Sequence, residues 1–135
     1  MATTIHPHIS KKNPYHISKH RYYELKHFCL QYPEWKKEYA EITLTPKPSD
    51  VKVQNSPGDP TANAAIRRTL LLDRMKLVEQ SAIEADPDIA RWLLSGVTEG
   101  WSYDILSSRL EIPCCREYYY IRYRRFFYIL SRDRR

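Results

Sequence analysis

The sequence predicts an all-α protein, and three observations lead there. Glycine is scarce, three residues against nine prolines, and the prolines gather in the N-terminal segment and in one central stretch, so the remainder can run as helices. Apolar residues recur at three- and four-residue spacing in several segments, the period of an amphipathic helix. Hydrophobic residues make up 42% of the chain and aromatics 13%, enough apolar surface to offset the entropy of ordering. At 135 residues there is room for one core and not for two independent ones.

Met1 to Pro14 is polar and aperiodic and is expected to form a flexible arm. A first helix is predicted from about Ser18 to Tyr32, with Tyr22, Leu25, Phe28 and Cys29 facing inward. Pro33 ends it, because a proline nitrogen has no proton for a helical hydrogen bond; its fixed φ also suits the first turn of a second helix reaching Ile42. Residues 15–42 therefore read as an N-terminal helical pair around Trp35 and Tyr39. Residues 43–60 carry Pro46, Pro48, Pro57, Gly58 and Pro60 among polar side chains, a linker composition, with a short strand through Val51-Lys52-Val53 left open.

Residues 61–135 read as a helical domain. Asp59-Pro60-Thr61 opens its longest helix, which extends to about Ala85 with Ala65, Leu72, Met75 and Val78 or Glu79 inward and Arg67, Arg68, Lys76 and Glu84 on other faces. Asp86-Pro87-Asp88 is the clearest helix start, joining an N-cap aspartate to a first-turn proline and an acid that complements the helix dipole. That helix turns Ile89, Trp92, Leu93 and Val97 inward and stops near Gly100. Ser102 caps a two-turn helix from Tyr103 to Leu110, with Ile105, Leu106 and Leu110 on one side. After a break at Ile112-Pro113 the last helix runs from Cys114 or Arg116 to Ser131 on a stripe of Tyr119, Tyr123, Phe126, Phe127 and Leu130.

Charge is unevenly spread within a formal net of +6. Residues 1–40 carry seven Lys/Arg against three acids and residues 116–135 carry seven against two, whereas residues 41–115 are net acidic. Basic ends suit a polyanion, because each phosphate neutralised releases condensed counterions. Three cysteines, Cys29, Cys114 and Cys115, cannot pair completely, which points to a reducing cytoplasm. No apolar run is long enough for a membrane span, so no membrane partner is expected, and the charged start has no apolar stretch behind it as a secretory signal would.

Residues 87–132 hold the ordered set that bears on function: helix, glycine break, two-turn helix, short turn, longer basic aromatic helix. A helix-turn-helix needs that order, since a short second helix braces a third whose outer face enters the major groove. With its apolar stripe inward, the last helix turns Arg116, Glu117, Tyr120, Ile121, Arg124, Arg125, Tyr128 and Arg132 outward. Arginine, used here to the exclusion of lysine, suits bidentate contact with guanine edges and phosphates, and Tyr118, Tyr120 and Tyr128 can add phosphate hydrogen bonds. Lys11, Lys12, Lys19 and Arg21 at the other basic end are candidates for phosphate contacts that carry no base information.

These residues also carry a resemblance. Gly100-Trp101-Ser102-Tyr103-Asp104-Ile105-Leu106, Leu110-Glu111-Ile112-Pro113 and Tyr118 to Leu130 resemble the C-terminal part of small phage-encoded transcriptional activators of the RinA and ArpU type. Those ends are similar in turn to the fourth region of sigma factors. Tyr22-Tyr23-Glu24-Leu25-Lys26 and Tyr32-Pro33-Glu34-Trp35 are similar to the front of proteins from prophage late regions. The resemblance implies a sigma-region-four-like helix-turn-helix and a late-gene regulator in the bacterial host cytoplasm. Double-stranded DNA is the implied partner, with RNA polymerase or a second copy as further ones. Pro113-Cys114-Cys115 departs from the serine or threonine common in the family turn. Two alternatives stay open: a packaging-associated DNA-binding protein, and an interaction protein that blocks a host nucleic-acid machine such as a defence nuclease.

Other signals carry less. His16, His20, His27 and Cys29 do not match zinc-ligand spacings, and Cys114-Cys115 reads as a pair of small buried hydrophobes rather than a redox switch. No phosphate loop, serine elbow, His-Glu-x-x-His pair or convergent carboxylates occur, so no enzyme, cofactor or metal is expected.

Overall fold

A computed structural model describes residues 14–44 and 60–134. Lys11, Lys12, nearly all of the expected arm, and most of the expected linker with Val51–Val53 lie outside the described residues. Among those described there are six helices and no strand: α1 (Lys19–Leu30), α2 (Tyr32–Leu44), α3 (Pro60–Ala85), α4 (Ala90–Glu99), α5 (Tyr103–Leu110) and α6 (Arg116–Asp133). None of these helices is long and apolar enough to cross a membrane.

Local chemistry accounts for most of the boundaries. Ser18 caps α1, its Oγ accepting the Arg21 N–H at 3.2 Å. Gln31 alone separates α1 from α2, its N–H returning to the Phe28 carbonyl at 3.2 Å. Pro33 then occupies the first turn of α2, where no N–H is needed. One start is later than the aspartate motif predicts. Asp86 accepts the Asp88 N–H at 2.9 Å and so closes a turn over residues 87–89, and α4 begins only at Ala90, without a side-chain cap.

α3 is the spine. α2 lies antiparallel to it, with Tyr32 bonded to Glu79 and Arg67 gripping Glu38 in a two-pronged contact at 2.6 and 3.0 Å. α4 and α6 pack on the rest of α3. Toward its N-terminus fewer of its side chains are covered: Ala65, expected inward, is exposed, and Ile66 and Leu70 are 59% and 45% exposed. Leu72 is only partly buried, while Leu71, Met75, Val78, Ala82 and Ala85 face the core.

The N-terminal helical pair is not a separate unit. Tyr22, Leu25 and Cys29 of α1 and Trp35 of α2 share one buried cluster with Val78, Leu93, Val97, Leu106, Phe126 and Leu130. The physical cause is α6. Beyond the expected stripe it also buries Tyr120 and Ile129, so one neighbour cannot cover it, and α1 packs on the flank that α3 leaves open. Tyr22 meets Phe127 edge-on at 5.2 Å between centroids and shares a 2.8 Å hydrogen bond with Tyr123, whose hydroxyl pKa burial drives well above its ordinary value.

Candidate nucleic-acid interface

Three short-range devices set the path from α4 to α6. Gly100 ends α4 at φ +73°, a left-handed geometry that glycine adopts at little cost. Ser102 opens α5 by accepting the Ile105 N–H at 3.4 Å. Glu111 ends α5 at φ +52°, and the next N–H, from Ile112, returns to the Leu106 carbonyl at 3.2 Å. The Tyr103 hydroxyl donates to the Cys114 carbonyl, and Arg116 pairs with Asp104 while its guanidinium lies 5.3 Å from the Tyr103 ring centre. The first turns of α5 and α6 are thereby tied together. Leu110, expected inward, is 37% exposed, and its carbonyl accepts the indole N–H of Trp92 on α4 at 2.8 Å.

The solvent stripe of α6 runs along Glu117, Ile121, Tyr128 and Arg132, flanked by Arg124 and Arg125, which are half-buried. Tyr120 is not on it. That ring is buried at 9% exposure and its hydroxyl accepts the Tyr103 N–H at 3.3 Å, because the aromatic face of α6 is wider than a single stripe. Tyr118 is half-buried and donates to Asp86, which leaves it inside the fold rather than facing a phosphate. Cys115 is exposed and Cys114 half-buried, with burial pushing the Cys114 thiol up; only Cys29 is the buried hydrophobe expected of all three.

The arginines divide by their partners. Arg116 pairs with Asp104, Arg122 lies 3.1 Å from Asp86, and Arg132 contacts both Glu84 and Asp133 at 2.8 Å. Arg124 and Arg125 make no ion pair among the described residues. Arg125 instead donates to two neutral acceptors at 3.4 Å, the Tyr15 hydroxyl and the Glu84 carbonyl.

Of the N-terminal candidates, Lys19 is exposed at the start of α1. Arg21 is committed to the fold: it donates to Ser131 Oγ at 3.1 Å, to the Ser131 carbonyl at 3.0 Å, to Glu24 at 2.8 Å and to the Arg134 carbonyl, so it clasps the end of α6.

Two residues here escaped the sequence reading. Asp86, which its sequence context predicts as a helix cap, is a buried node. Burial alone would raise its carboxyl pKa, but the Tyr118 hydroxyl, the Asp88 N–H, the Arg122 guanidinium and the Ile89 N–H outweigh it and hold the group below the usual carboxylate range. Tyr15, with no motif around it, lies beside Arg125 and 5.8 Å from the Tyr128 ring. Among the described residues no three His, Cys, Asp or Glu side chains gather as metal ligands would. No protein-family model, curated protein or solved structure matches the chain.

Proposed function

We propose that the chain is a DNA-binding regulator of phage late transcription that presents α6 to duplex DNA from a helix-turn-helix-like unit made by α4, α5 and α6. The observation that supports this most is the Arg124–Arg125 pair, which flanks the solvent stripe of α6 and binds no carboxylate among the described residues. Such guanidinium groups meet phosphates or guanine edges without first breaking an ion pair, whereas Arg116 and Arg132 must leave Asp104 or Glu84. The groove-facing set therefore contracts to Arg124, Arg125 and Tyr128, with Arg116 and Arg132 secondary and Lys19 as an outlying phosphate contact.

Fluorescence anisotropy of labelled duplexes over a salt series tests the reading. Arg124→Ala is expected to weaken the preferred site by about 1–3 kcal/mol, and random duplex by less, with the melting temperature unchanged. A folded wild-type protein that binds no duplex even at low salt refutes it.

One observation favours a second reading, an interaction protein acting on a nucleic-acid machine. Ile66 and Leu70 are large apolar side chains exposed one turn apart in the N-terminal half of α3. On this reading Leu70→Asp abolishes capture of a protein partner and leaves duplex binding untouched.

A further inference from the structure

α6 has two flanks, and the start of the described chain reaches both. On one flank lies α1, through Tyr22 against Tyr123 and Phe127 and through Arg21 on Ser131. On the other lies Tyr15, against Arg125 and Tyr128. Pro14 to Ser18, which leads into α1, thus brings Tyr15 beside the C-terminal half of α6, with the side chain of Ile17 buried in the core two residues on.

Tyr15 touches an arginine that makes no ion pair among the described residues. The Arg125 guanidinium lies 6.0 Å from the Tyr15 ring centre, one Nη donates to the Tyr15 hydroxyl, and the other donates to the Glu84 carbonyl. Its Nε is buried and makes no hydrogen bond among the described residues. Both acceptors are neutral and both bonds are long at 3.4 Å, so each terminal nitrogen keeps one further N–H while the plane of the group is set from two sides. Rotamer freedom removed before binding is not lost on binding, and a guanidinium held in plane meets a phosphate at lower cost than a mobile one.

We infer that Tyr15 is a positioning residue for the DNA interface: it holds Arg125 as an anchor for a backbone phosphate. The inference rests on the DNA-binding reading above and adds a residue that belongs to neither α5 nor α6.

The full-length protein is tested as wild type, Arg124→Ala, Tyr15→Phe, Arg125→Ala and the Tyr15→Phe/Arg125→Ala pair, by duplex binding over a salt series. Arg125→Ala is expected to weaken specific and random duplex alike, roughly tenfold, and to make the log–log salt slope shallower by about 0.9, one phosphate's worth. Tyr15→Phe keeps the ring and removes the hydroxyl, so it is expected to weaken binding about threefold with the slope unchanged, and to add nothing once Arg125 is gone. A merely structural role would weaken both backgrounds equally. The inference is overturned if Tyr15→Phe binds like wild type, binds more tightly, or weakens the Arg125→Ala protein as much as the parent. If Arg124→Ala loses affinity and the Tyr15 variant does not, only the role of Tyr15 falls; if folded wild type binds no duplex, the DNA reading falls and this one with it.

Discussion

The Tyr119 hydroxyl occupies the space that a β-carbon on Gly96 would need. A carbon built there lies 2.2 Å from that oxygen and 3.3 Å from Leu106 Cδ1, so α4 and α6 approach as they do only because position 96 has no side chain. The oxygen itself is buried and has no hydrogen-bond partner among the described residues.

Gly96→Ala is therefore expected to destabilise the fold by about 1–3 kcal/mol through overpacking. Tyr119→Phe removes both the obstructing atom and an unsatisfied buried hydroxyl, so it should leave stability near wild type or raise it, and should recover most of the loss in the double variant. Urea denaturation of the four proteins measures the coupling; strictly additive losses would mean that the two positions do not meet.

Phe126 is fully buried and tests the orientation of α6. Phe126→Ala should cost about 3–5 kcal/mol in chemical denaturation. A shift within error of wild type would place the ring outside the core.

Asp86 makes stability depend on acidity. Its carboxyl is held below its unfolded-state pKa, so its contribution is complete above that value, about pH 4, and fades as pH falls through the folded-state pKa. Asp86→Asn is expected to lower stability by roughly 1.5–3 kcal/mol at pH 7, with the gap from wild type closing as the medium is acidified. A gap of the same size at pH 7 and pH 2 would show that the charge of Asp86 does not matter.

Arg21 separates clasp from contact. With its hydrogen bonds to Ser131 lost, Arg21→Ala should unfold at lower urea, by about 1–3 kcal/mol, while the folded protein binds duplex as wild type does. A loss of affinity with unchanged stability would return Arg21 to the set of phosphate contacts.

The helical class, the number of helices among the described residues and most of their ends follow from local chemistry along the chain. Those depend on neighbours in the chain: Ser18 and Ser102 satisfying first-turn N–H groups, Pro33 dividing α1 from α2, Gly100 adopting φ +73°. The apolar stripe of α6 follows in the same way, since residues three and four apart share a face whatever they pack against. Which polar side chains remain for a partner depends instead on how the helices pack together. Tyr120 is outward on a helical wheel drawn for one neighbour and buried once α1 and α5 close around α6. Arg116, Arg122 and Arg132 find carboxylates 12, 36 and 48 residues earlier in the chain, and Tyr15 reaches Arg125 across 110 residues. Periodicity describes one helix at a time. The pairing of charges across helices is settled by distance in space, and here it separates Arg124 and Arg125 from the other arginines of the same helix.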